Sequence, residues 1–447
     1  MVGARPREHG LLRALRSRNY RLFVAGQGIS LVGTWMQQVA MSWLVYRLTG
    51  SAFLLGVVGF TSQVPTFLIA PFAGVLADRW DRRRLLMINQ TFAMFQAAFL
   101  ATAVLAGFAQ IWLIVLLSLL LGVISAFEIP IRQSFVVELV EHREDLGNVI
   151  ALNSSMVNGA RLIGPSVAGV LVATAGEAVC FIINSISYLA VIVALAAMRI
   201  APRPPRTQQR HVLHELREGF GYAFGFAPIR SILLLIAFVS LMGMPYAVLV
   251  PVFAKEVLHG GAHTFGFLMT AAGSGALVGT LYLASRRNVV GLGRVIVLAV
   301  ILFAAGIALF AVSSYLPISL AALAMAGFGS ITLVASCNTI LQTILEEDKR
   351  GRVMSFFTMA FMGMAPFGSL GAGAMADAVG VRYTLLIGAI FCVVGAAIFA
   401  RNLPKIREKI RPIYVRMGII REVAFGTDTV DGHPQDRGEQ HDEIFRR

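Results

Sequence analysis

The sequence predicts an all-α membrane protein with twelve transmembrane helices in two six-helix repeats. Three observations carry that prediction. First, 57% of the 447 residues are in the AVILMFWYC set and only 14% are charged, against about a quarter charged in an ordinary soluble domain. Mean hydropathy is +0.74, and many uncharged runs exceed the ~20 apolar residues that cross a bilayer. Second, the basic residues fall between these runs in a regular alternation. Third, a stretch near the end of the first half recurs near the end of the second. Soluble-enzyme, disordered and disulfide-scaffold classes are excluded.

Taken in order, residues 1–21 form a basic segment expected on the cytoplasmic side. The next run, Leu22 to Tyr46, is uncharged over 25 residues. A signal h-region is shorter, about 7–15 residues, so this run is expected to be a retained helix. Residues 22–199 then hold six spans at 22–46, 52–77, 85–106, 110–132, 148–173 and 178–198, with a cut at Gly107–Gln110. Residues 200–229 form the longest connection. Its Leu213, Leu216, Phe220 and Phe224 recur at helical spacing opposite His214, Glu215, Arg217 and Glu218, as in a helix lying on a membrane surface; a solvated linker is the alternative for its first half. Residues 230–402 hold six more spans, at 230–254, 264–285, 295–313, 316–344, 353–376 and 382–401, with a cut at Ser313–Pro317. The tail, 403–447, is amphipathic over 405–424 and polar beyond about Gly426, a composition expected to be disordered.

Placing the N-terminus in the cytoplasm puts 34 of the 38 Lys and Arg on that side, with only Arg47, Lys255 and Arg382 opposite and Arg161 within the membrane. A wrong helix count would scramble this pattern, so it supports the count and an orientation with both termini cytoplasmic. The formal charge of +14 thus reads as topology, with the bilayer as partner and no nucleic acid. Cys180, Cys337 and Cys392 lie in apolar runs without a spacing motif, so neither disulfides nor a metal site is expected. A shift of 204 residues aligns GPSVAGVLVATAG at 164–176 with GSLGAGAMADAVG at 368–380 without gaps, both in the fifth helix of their half. Duplicated halves with a site between them are a transporter design.

The loop after the second span reads Gly74-Val-Leu-Ala-Asp78-Arg79-Trp-Asp81-Arg82-Arg83-Arg84. It resembles the G-x-L-A-D-R-x-G-R-[RK] loop of the major facilitator superfamily, departing at Asp81, where that superfamily usually has Gly. With PIRQSFVVELV at 130–140, LNSSMVNGARLIGPSVAG at 152–169 and KRGRVMSFFTMAFMGMAPFGSLGAG at 349–373, the chain is similar over about 19–402 to the enterobactin-exporter-like branch, the transmembrane secretion effectors. A carboxylate closing a helix can meet the positive N-terminal end of a neighbour. The resemblance implies that Asp78 does so at the eleventh span, near Arg352, forming a cytoplasmic gate with Gly74, Arg79 and Arg82. Topology enforcement is the reading preferred for Arg83 and Arg84.

Gly159, Gly164, Pro165 and Gly169 resemble the superfamily's fifth-helix antiporter signature, with Ala168 replacing one Gly; the resemblance implies export, and small-residue packing is the alternative. Glu128 and Arg161 are the ionisable residues set most clearly within the first-half helices, where charge faces a cavity or a partner. Glu128 with Arg132 and Arg161 are the coupling candidates, an intrahelical Glu128–Arg132 pair being equally open; failing Glu128, the cytoplasmic loop carboxylates or Asp377 come next. Ser154, Asn158, Arg161 and Pro165 share one face of the fifth helix. Gln27, Thr34, Gln38, Asn158, Tyr246, Asn338 and Gln342 are the candidates for lining a substrate cavity, with interhelical hydrogen bonding the alternative for each. Pro245 and Pro251 bracket Tyr246 and suggest a bend.

No HExxH, intramembrane Asp pair or P-loop occurs. The expected function is therefore secondary active transport by alternating access: proton-coupled efflux of an amphipathic small molecule across the plasma (inner) membrane. It needs no bound cofactor, draws on the proton gradient and works as a monomer. Uptake or lysolipid translocation by the same fold is the alternative, ahead of a membrane sensor or intramembrane enzyme.

Overall fold

A computed structural model describes residues 13–140, 145–199, 220–286 and 288–420, with the side chains of 13, 70–79, 146 and 347–348 excepted. Most of the 200–229 connection, the tail beyond 420 and the side chains of Gly74, Asp78 and Arg79 therefore lie outside the described residues. The helices are α1 (Arg18–Thr49), α2 (Ala52–Arg79), α3 (Arg82–Leu105), α4 (Ile111–Glu138), α5 (Leu146–Ala175) and α6 (Glu177–Ala197) in the first half. The second half has α7 (Ala227–Met242), α8 (Tyr246–Glu256), α9 (Ala262–Ser285), α10 (Leu292–Val312), α11 (Leu316–Ile344), α12 (Glu347–Thr358), α13 (Met364–Val379) and α14 (Val381–Arg416).

Among the described residues, eleven spans are long and apolar enough to cross a membrane, α7 with α8 and α12 with α13 each counting as one. The 32-residue α1 completes twelve. It is more polar because Gln27, Ser30 and Gln37 are buried against neighbouring helices. Outward faces are apolar: Phe92, Phe95 and Phe99 line one side of α3, all exposed, as lipid contact requires.

Helix ends follow local chemistry. Gly50, Gly176 and Gly380 turn the chain with positive φ, a conformation that favours glycine; with Gly107 they lie at one end of the bundle, the corner end. The arginine-rich connections lie at the other, the arginine end. There Asp81 is the N-cap of α3, accepting from the Arg84 N–H at 3.1 Å. Its φ of −62° requires no glycine, so the departure from the superfamily loop is a helix cap.

The structure revises three sequence boundaries. The 230–254 span is two helices, broken at Gly243–Pro245. The eleventh span starts at Glu347 and carries a π turn at Met359–Gly363, where Ser240 Oγ donates to the Phe361 carbonyl. The 382–401 span and the 405–424 amphipathic stretch are joined in one helix to Arg416, through Pro404 and Pro412. Leu403, Ile406, Ile410 and Tyr414 are buried at 3-4-4 spacing, and this side-on packing keeps the helix running.

The 204-residue repeat recurs in space. Gly164 lets α5 approach α1, where an added methyl would sit 3.0 Å from the Val32 carbonyl; its mate Gly368 does the same for the second half against Leu241 of α7. Gly169 faces α9 and Gly373 faces α2. Each fifth span thus packs on its own first span and crosses the other half's second span.

Candidate functional site: the cleft between the halves

The two halves meet mainly along α2/α13 and α5/α9. At the corner end Asp377 accepts from Ser51 Oγ (2.7 Å) and from the N–H groups of Ala52 (2.8 Å) and Phe53 (3.1 Å). A carboxylate from the second half thus caps α2, where helix dipole and free N–H groups favour negative charge. Tyr46 donates to Glu256, and Lys255 lies 5.4 Å from the Tyr46 ring centroid. On α5/α9, methyl groups fit at neither Gly169 nor Gly266, and Ser166 and Thr270 hydroxyls lie 2.6 Å apart.

Among the described residues, the hydrogen bonds, ring contacts and close glycine approaches joining the halves lie between the corner end and the depth of Phe67, Arg161 and Gly363. Nearer the arginine end the first half has a separate core, built from Tyr20, Phe23, Leu86, Ile131, Phe135, Val149 and Leu195. Toward the corner end one core runs through both halves. Among the described residues, the joins between the halves thus gather toward the corner end.

The expected α5 stripe lies on this boundary. The Pro165 carbonyl lies against Gly266 and the Arg161 carbonyl against Gly273, both in the second half. The same face continues to half-buried Asn158 and exposed Ser154, beyond the last close approach. Arg161 stacks 5.6 Å from the Trp35 ring centroid. Gln38, Ser42 and Tyr46 follow one another by fours on α1, and Tyr46 bonds to the second half, so exposed Gln38 shares that face. Asn338 and Gln342 bond to each other on α11 at 2.9 Å.

Glu128 pairs with Arg132 at 3.4 Å, with side chains 20% and 15% exposed, and among the described residues makes no ion pair with Arg161. The Tyr188 hydroxyl lies 3.5 Å from Thr34 Oγ1. Tyr246 is buried, edge-on to Phe303 at 5.9 Å, and Gln27 is buried on α1; neither stands open to the cleft. Arg82 pairs with Glu138 inside the first half, between α3 and α4. Half-buried Arg352 lies in the second turn of α12. Gly159 has open space beside it, unlike Gly164 and Gly169.

Sequence reasoning missed two groups. Gln37 bonds to Gln96 (3.0 Å) and Asn184 (2.7 Å), and Gln96 donates to the Leu117 carbonyl, tying α1, α3, α4 and α6 together. The Asp377 cap was the other. Its signal was present: in the aligned repeat Asp377 stands where the first half has Ala173.

Twelve spans in two like halves, meeting along α2/α13 and α5/α9, define a membrane transporter of the major facilitator type. The chain belongs to the transmembrane secretion effector family, whose model matches residues 10–414. Over 375 residues it is 28% identical to the staphyloferrin A transporter of Staphylococcus aureus, covering 82% of this chain and 92% of that one. It is 24% identical to the multidrug efflux pump Tap of Mycobacterium tuberculosis, covering 86% and 91%, and 25% identical to macrolide efflux protein A of Streptococcus pyogenes, covering 83% and 92%. Solved structures share the fold: a bacterial homologue of the human lysosomal transporter Spinster has TM-score 0.66 at 14% identity, covering 90% of this chain and 99% of that one. A peptide-transporter-family (POT) structure bound to 5-aminolevulinic acid reaches 0.71 at 10% identity, covering 87% and 97%.

Proposed function

We propose that this transporter exports an amphipathic small molecule (a siderophore, drug or secondary metabolite) in exchange for protons, with both termini in the cytoplasm. The observation that carries the reading is the seam between two like halves: among the described residues its joins gather at the corner end, and the polar α5 stripe runs from them toward the arginine end. With 34 of 38 basic residues on one side, the positive-inside rule makes the arginine end cytoplasmic. The relatives' transport of a siderophore and efflux of drugs and macrolides support the substrate class.

Alternating access requires the opposite closure too. Asp78 at the arginine end of α2 would then meet the start of α12, as Asp377 at the corner end of α13 meets the start of α2. Gly74, Arg79 and Arg352 belong to that second closure. Glu128, with Arg132 beside it, carries the proton.

Three measurements test this. Everted vesicles should accumulate substrate and lose it on adding an uncoupler; accumulation indifferent to the uncoupler removes the proton. Glu128→Gln should abolish gradient-driven accumulation but keep downhill exchange, whereas a mutant that still accumulates substrate with normal pH dependence removes Glu128 from the mechanism. Cysteines at Ser51 and Gly261 should react with an impermeant maleimide from outside, and cysteines at Gln208 and Gln435 should not.

A further inference from the structure

At the arginine end of the second half lies a cavity of about 350 Å³, within the roughly 300–1,000 Å³ of small-ligand sites. Its walls are apolar: Ile232 of α7, Ile340 of α11 and Phe399, Leu403, Ile406 and Ile410 of α14. Its polar rim is Arg294, Arg407 and Arg411. All three arginines are exposed, and among the described residues none makes an ion pair. Glu408, the one carboxylate on α14, bonds to none of them. Val290, which lines the cavity, is itself exposed.

Depth says what can reach it. α14 has 36 residues, about 54 Å at 1.5 Å per residue, against ~30 Å of hydrocarbon. Its Leu403–Tyr414 stretch therefore lies at the level where lipid headgroups meet water. An apolar hollow at that level, under three exposed arginines, fits neither a free anion, which would leave the walls uncovered, nor a neutral hydrocarbon, which would leave the arginines unmatched. Basic pockets between helices at this boundary recognise phospholipid headgroups.

We propose that this cavity binds an anionic phospholipid, one acyl chain between α7, α11 and α14 and the phosphate at Arg294, Arg407 and Arg411. The site lies wholly within the second half. A lipid there ties α14 to α7 and α11 on the side where that half moves.

The test is native mass spectrometry of the full chain in detergent, titrated with dioleoyl-phosphatidylglycerol, dioleoyl-phosphatidylcholine or inorganic phosphate. The expected result is a phosphatidylglycerol adduct at about tenfold lower lipid than phosphatidylcholine needs. The R294Q/R407Q/R411Q variant should bring the two lipids within about twofold. Ile410→Trp should remove the adduct by filling the cavity. Val290→Trp, at an exposed wall position, should do the same if the buried change unfolds the chain. Equal retention of both lipids by the unaltered protein overturns the proposal, as does a preference that survives the triple variant or a tryptophan variant that folds and still binds. Displacement of phosphatidylglycerol by inorganic phosphate alone would make this a free-anion site and overturn it as well.

Discussion

The two interfaces that hold the halves together are built on one plan and finished differently. In each, a small-residue fifth span crosses the other half's second span, through Gly169 against Gly266 on one side and Gly373 against Ala52 on the other. At α2/α13 a carboxylate then caps the crossed helix, with Asp377 accepting three hydrogen bonds at Ser51, Ala52 and Phe53. At α5/α9 the aligned position is Ala173, and the N-cap of α9, Gly261, offers no side-chain cap. One interface has shape and charge; the other has shape and a single hydroxyl pair. A duplicated fold has thus concentrated its polar fastening on one seam, and the other seam should be the easier one to break.

Removing shape should have the largest effect. A Cβ at Gly169 would lie 2.8 Å from the Gly266 Cα, and backbone cannot step aside as a side chain can. Overpacking of this kind costs about 1–3 kcal/mol, and α5/α9 has little else to hold it. Gly169→Val should open the corner end by about tenfold or more, read as the labelling rate of a cysteine at Gln38 attacked from that side. The native Cys180, Cys337 and Cys392 are buried, so the introduced thiol reports alone. Gly373→Val should do less, because Asp377 still tethers α2; equal effects would mean that charge adds nothing to shape.

Asp377→Ala comes next. Hydrogen bonds to a charged group contribute about 1.5–3 kcal/mol when sheltered. Asp377 is exposed, so about 1 kcal/mol is the expected loss, a roughly fivefold faster labelling at Gln38. A labelling rate indistinguishable from the unaltered protein would reduce the cap to decoration.

How much of this was legible beforehand depends on which residues are asked about. The span count, the repeat and the α5 motif were readable because each is periodic along the chain: apolar length, alternating arginines, glycines at a fixed shift. The α5 stripe was readable for the same reason, since 4-3-4 spacing puts Ser154, Asn158, Arg161 and Pro165 on one face whatever surrounds it. Gln37 and Gln38 were not separable, being adjacent and chemically identical. Only packing tells that Gln37 points to Gln96 and Asn184 while Gln38 stands exposed. Tyr246 looked like a cavity residue between two prolines and is instead packed on Phe303. The Asp377 cap joins residues 326 positions apart, a pairing that no local pattern announces, although the Ala173 mismatch in the repeat marked the position.

That mismatch permits a gain-of-interaction experiment on the weaker seam. Ala173 is exposed on the last turn of α5. Ala173→Asp should place a carboxylate near the start of α9 as Asp377 sits at the start of α2, contributing about 0.3–1 kcal/mol. Labelling at Gln38 should slow about two- to fivefold, and the Asp377→Ala defect should be partly restored in the double mutant. Failure to slow labelling in either background would show that the two seams differ in backbone approach and not only in this side chain.

The smallest effect should come from the hydroxyl pair. Ser166 and Thr270 lie 2.6 Å apart, but each also has a partner in its own helix: Ser166 at the Leu162 carbonyl (3.2 Å) and Thr270 at the Gly266 carbonyl (2.8 Å). Losing one hydroxyl therefore leaves no orphaned donor. Pairs of this kind inside membranes contribute on average about 0.6 kcal/mol, because the separated helices also find partners. Ser166→Ala should speed Gln38 labelling no more than about threefold, and Thr270→Val should match it. The double mutant should then be no worse than either single one, since both remove the same bond. Additive effects would show that the hydroxyls act separately, each through its own helix, and the α5/α9 seam would then be held by glycine packing alone.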